Sequence, residues 1–119
     1  MSYDIMLFRT ETKVREQESG DEEFFDHEDN LEPFTKTQAK ELKERLISYG
    51  YKFEQDNKYG AEFKNSEYGI SVLLTKCGVY FTTSWDQEAI FEAGMTASEF
   101  TDTDEFAKYD PQNGGWEEF

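Results

Sequence analysis

Hydrophobic and polar positions change their period twice along the chain, and each change marks an element. In "SYDIMLFRTET", Tyr3, Ile5 and Leu7 alternate with Asp4, Met6 and Phe8, and both sets are largely apolar from residue 5 to residue 8. That predicts a central strand covered on both faces, running on toward solvent through Thr10 and Thr12. From Thr35 the period becomes helical. Thr35 and Gln38 form a T-x-x-Q capping pattern, Ala39, Leu42, Leu46 and Ile47 recur at helical spacing, and Gly50 offers a left-handed stop. A helix over 35–49 is expected, and Lys36, Lys40, Lys43 and Arg45 make it the most cationic element.

After Gly50 the period is two. Tyr51 and Phe53 alternate with Lys52 and Glu54, and after a turn at Asp56-Asn57 so do Tyr59, Ala61 and Phe63 with Glu62 and Lys64. "ISVLLT" and "VYFTTSW" follow, reversed through Lys76-Cys77-Gly78, and their low polarity makes that hairpin the expected centre of an antiparallel meander. Ser84 and Gln87 suggest a second capping box, opening a short helix that ends at Gly94, with a further helical turn around Ser98 to Thr101. A last strand through Tyr109 should end at Pro111, which cannot donate to a ladder and biases Asp110 toward extended geometry. After a turn at Pro111 to Gly115, Trp116 and Phe119 then lie in a tail. The expected architecture is α+β: a single antiparallel sheet of about five to six strands, one main helix packed on one face and a short second helix. All 119 residues are expected to form one domain, with 18–34 as a long acidic loop.

Composition changes this picture in two ways. Leu, Ile, Val and Phe are scarce for a folded chain of high charge, but 11 Phe, 7 Tyr and 2 Trp can supply a core through their large buried area. The formal net charge is −15, from 27 acids against 12 bases. Such charge opposes nucleic acid and anionic membrane and favours a basic protein partner. A single cysteine, Cys77, excludes an internal disulfide and a cysteine-rich zinc site. The apolar stretch between Asp4 and Arg9 is too short for a signal peptide, and no run approaches a membrane span, so a cytoplasmic setting is expected.

The candidate chemistry lies in "ESGDEEFFDHEDNLEPF", residues 18–34, where eight of seventeen residues are acids and none is Lys or Arg. Counted as a calcium loop from Asp21, acids fall at positions 1, 3, 9 and 12 as Asp21, Glu23, Asp29 and Glu32. Phe25 and Asp26 stand where a ligand and the required glycine belong, so calcium binding through 21–32 is the alternative rather than the main reading. His27 is the only histidine, too few for a typical zinc site. Cys77 has a cation beside it in Lys76 but reads as a small hairpin residue. Phosphate-binding glycine loops, nucleophile elbows and H-E-x-x-H are absent. A small enzyme using a carboxylate pair stays open only because no pair stands out among so many acids.

The two ends, "MSYDIMLF" and "KYDPQNG", resemble small uncharacterised bacterial proteins that open with MSYD and an apolar strand and close with a Y-D-P-Q turn. That resemblance implies a compact bacterial domain with an immunity- or inhibitor-like role, an acidic protein held against a toxin. It covers about a dozen residues and transfers no functional residue, and this chain departs from it by running on through "GWEEF". The combined expectation is a non-enzymatic protein-binding module without a cofactor. The carboxylates of 21–32, with Asp21, Glu22, Glu23 and Asp26 foremost, and those of the C-terminal third would attract the partner, and exposed aromatics among Phe24, Phe25 and Trp116 would anchor it. Phe24 and Phe25 are neighbours, so in an extended loop one faces the core and the other faces out.

Overall fold

The computed structural model describes residues 2–117, and Phe119 lies outside them. Strand β1 spans Tyr3–Arg9 and is covered on both faces as its sequence predicts: Ile5 and Leu7 belong to one buried cluster, Phe8 to another. The chain does not then run out toward solvent. It turns directly into helix α1, Thr10–Ser19, where Thr12 is fully buried. This helix has no apolar stripe to betray it, and polar contacts hold it instead. The Thr12 hydroxyl accepts the Glu32 N–H at 2.9 Å, the Thr10 hydroxyl donates to the Asp104 carbonyl at 2.7 Å, and Arg15 meets Glu32 at 2.6 Å. Gly20 closes it at φ +63°. The only local signal is composition, since Glu11, Lys13, Arg15, Glu16, Gln17 and Glu18 are all good helix formers.

Helix α2, Lys36–Ser48, starts as its capping box demands. The Gln38 N–H donates to the Thr35 hydroxyl at 3.1 Å and the Thr35 N–H to the Gln38 side chain at 3.0 Å. Leu42 and Leu46 are buried, but Ile47, expected inward, is 58% exposed. Four strands follow: β2 Lys52–Asn57, β3 Gly60–Asn65, β4 Ile70–Leu74 and β5 Gly78–Thr83. Helix α3, Gln87–Glu99, is capped by Asp86, whose carboxylate accepts the Ala89 N–H at 3.3 Å, rather than by Ser84. It also passes straight through Gly94, where the sequence suggests a stop, and absorbs the expected turn near Ser98 before a 3-10 turn at Phe100–Thr103. Strand β6, Phe106–Asp110, is joined across the Pro111 turn to β7, Gly115–Trp116, so the supposed tail pairs with the sheet.

The described residues thus form an α+β fold with three α-helices and one sheet of seven strands, more than the five to six expected. The order is β2-β3-β4-β5-β1-β6-β7 and every neighbouring pair is antiparallel. β5 lies in the middle beside β4, as the low polarity of that hairpin implies. Both α2 and α3 pack on one face over Ile5, Leu7, Tyr51, Phe63, Phe81 and Phe100, an aromatic-rich core. The reverse face carries the second cluster, centred on Phe8, Phe24, Leu31 and Cys77. Among the described residues no helix is long and apolar enough to cross a membrane.

Two stability predictions follow from this packing. Gly60 opens β3 so close to β4 that a Cβ there would overlap the Leu74 backbone carbonyl. A backbone overlap cannot be relieved by a rotamer change, so Gly60→Ala should lower stability by about 3 kcal/mol in denaturant unfolding. An unchanged midpoint would contradict this strand spacing. The second concerns alkali. Burial pushes the Tyr51 hydroxyl up to about 12, with Thr96 opposing and Glu92 adding. Burial, then the hydrogen bond and charge of Asp110, push Tyr3 to about 12. Unfolded tyrosine ionises near 10. These raised values therefore stabilise the fold in full below pH 10, and the contribution is lost as pH rises through 12. For fully buried Tyr51 the loss approaches about 2 kcal/mol. Melting temperature should fall steeply between pH 10 and 12, less so in Tyr51→Phe; identical alkaline profiles for the two proteins would contradict the assignment.

Candidate partner-binding surface

Residues 21–31 lie on the sheet face opposite α2 and α3, and their own polar groups shape them. The Asp21 carboxylate accepts the Glu23 N–H at 2.9 Å, starting the 3-10 turn Phe24–Asp26. The Asn30 amide donates to the Phe24 carbonyl at 3.0 Å, closing a second turn at Glu28–Asn30. The Glu32 N–H reaches Thr12, and the Phe34 N–H donates to the Lys76 carbonyl at 2.8 Å. What reads as a long acidic loop is a folded platform.

Aromatics fasten it from below. Phe24 is only 3% exposed, so it is a core residue and not the exposed anchor expected. Phe25 is half-buried, stacked on Phe8 at 5.2 Å between ring centroids, with Tyr109 at 4.8 Å and Trp116 at 6.1 Å. The expectation that the two rings point opposite ways assumed extended backbone. In a 3-10 turn neighbouring side chains are about a third of a turn apart, so both reach the sheet. Trp116 is half-buried too, and its indole N–H donates to the Glu16 carboxylate at 2.8 Å. The structure therefore gathers Phe24, Phe25 and Trp116 into one cluster, as supports for the acids above them.

Asp21, Glu22, Glu23 and Asp26 are all exposed, as are Glu28 and Asp29. Among the described residues none of these six carboxylates is in an ion pair. Glu32 is the exception at the edge, shared by Arg15 at 2.6 Å and Arg9 at 3.6 Å. Beside the platform a cleft of about 670 Å³ runs toward the β2–β3 turn, with Asp26 and Glu28 on one side and Lys58, Tyr59 and Lys76 on the other. The Lys58 ammonium lies 4.9 Å from the Tyr59 ring centroid. No local pattern announces this cleft, because it is created by the distance between two turns remote in sequence.

Cys77 lines the cleft and is buried. Burial pushes its thiol up, Glu28 and Glu32 add to the shift, and Lys76 opposes them without prevailing. Its N–H and that of Gly78 donate to the Thr75 hydroxyl at 3.2 and 3.0 Å, which is the geometry of a tight turn. Among the described residues no group of three or more His, Cys, Asp or Glu is arranged to hold a metal ion. Of the four acids in calcium-loop register, Glu32 is already committed to two arginines. Calorimetry is expected to show no stoichiometric calcium binding at micromolar concentration; such binding would contradict the platform geometry.

Fold and surface together define a small acidic α+β protein, its sheet clad by α2 and α3 on one face and by a carboxylate platform on the other. Compared with family models, curated proteins and solved structures, the chain finds no match in any of the three.

Proposed function

We propose that the protein is a non-enzymatic binding module that holds a basic partner protein against the platform of residues 21–29. One observation carries the reading: six exposed carboxylates, none of them in an ion pair among the described residues, stand on an ordered, aromatic-fastened segment. Concentrated charge of one sign raises the encounter rate with an oppositely charged surface. A platform ordered before binding loses less conformational entropy when the partner docks. The aromatics act indirectly, by fixing where the carboxylates stand. A nucleic-acid or anionic-membrane partner is disfavoured by the same charge, and the role requires no cofactor. An immunity- or inhibitor-like protein would work in this way, by occluding a basic surface on its target.

Affinity capture from the native host tests the reading when the wild-type chain is compared with one carrying Asp21→Lys, Glu22→Lys, Glu23→Lys and Asp26→Lys. All four positions are exposed, so the variant should fold. A basic protein enriched on the wild type and lost from the variant supports the proposal; equal recovery on both refutes it.

A further inference from the structure

On the helix-clad face, remote from the acidic platform, α3 leaves an open groove of about 330 Å³ against β6. Phe91 and Met95 stand one helical turn apart along its rim, and Phe91 is 68% exposed. Gly94 lines the groove between Phe91 and Lys108. Asp110 lines the groove although it is only 8% exposed. One of its oxygens accepts the Tyr3 hydroxyl at 2.9 Å, while Oδ1 is buried with no hydrogen-bond partner. A carboxylate oxygen in that state is uncommon and unfavourable.

Among the described residues nothing supplies the missing donor. Lys108 shares a strand face with Asp110, but its ammonium is held by Ser98 at 3.1 Å and Glu117 at 3.2 Å. That pairing also matches the lysine charge, so the groove does not repel a cation. The chain as a whole, at −15, attracts one. Apolar walls and an unmet buried carboxylate oxygen, in a chain of strongly negative net charge, together describe a site for an amphiphilic cation.

We propose that this groove binds a small apolar primary ammonium compound, its N–H groups on Asp110 Oδ1 and its body along Phe91 and Met95. Met95 is unbranched and easily repacked, so the groove can adjust around the ammonium. The site is separate from the platform and does not depend on its function.

Amide chemical-shift titration of the full chain with phenethylammonium chloride tests it, with phenethyl alcohol as the uncharged comparison. Saturable shifts at Phe91, Gly94 and Asp110 are expected at millimolar ligand. Asp110→Asn should weaken binding by about tenfold, and the alcohol should bind wild type as weakly as the ammonium binds that variant. Phe91 is exposed enough that Phe91→Ala keeps the fold, and it too should weaken binding, which decides the matter if the Asp110 variant does not fold. Absence of saturable shifts, affinity unchanged in the variants, or shifts confined to residues 21–29 would overturn the proposal. So would Phe91-dependent self-association in sedimentation, which would make the groove a contact between two copies.

Discussion

Phe24→Ala is expected to cost about 3–4 kcal/mol of stability and to loosen the acidic platform ahead of the rest of the fold. Phe24 is almost wholly buried and meets Phe25 edge-on at 5.3 Å, so truncation removes transfer energy and leaves a cavity. The loss falls on the smaller of the two clusters, which has few neighbours able to collapse into the gap. Hydrogen exchange at residues 21–31 should therefore accelerate more than at β4 and β5, where the helix-side core is untouched. Denaturant midpoints and residue-resolved exchange measure both effects. Full stability with undiminished protection at Asp26 and Asn30 would show that the platform stands without its aromatic base.

The parts of this fold that were legible in the sequence are those where a local pattern and a tertiary need coincide. β1 declares two covered faces through Ile5, Leu7 and Phe8, and both clusters are found there. The Thr35–Gln38 box and the β4–β5 hairpin are equally local and were equally readable. α1 was missed because its cohesion comes from Thr12, Arg15 and a partner some twenty residues away, with no apolar period to report it. Gly94 misleads because glycine after a helical run usually marks an end, whereas α3 continues through it to Glu99. The tail at Trp116 paired with Tyr109 because an edge of the sheet was open to it, a fact that belongs to topology. At the surface, the acids were visible from composition alone. The burial of Phe24 was not, since it depends on a 3-10 turn where extended backbone was expected.

Charge reversal at the platform carries the second large effect. Converting Asp21, Glu22, Glu23 and Asp26 to Lys turns a local attraction for a basic surface into repulsion, without touching a buried group. Electrostatic steering of this kind changes association rates by about 10- to 1,000-fold. The partner's dissociation rate should move far less, because rim charges act mainly on encounter. Salt should reproduce part of the same loss in the wild type, since exposed charges are screened within about 8–10 Å at physiological ionic strength.

The most direct measurement is the association rate constant of the captured partner, recorded for wild type and the fourfold Lys variant across ionic strength. The account predicts a wild-type rate that falls steeply as salt is added, and a variant that associates at least about tenfold more slowly and loses that dependence. Equal rates for the two proteins at low salt, with the fold of both intact, would contradict it.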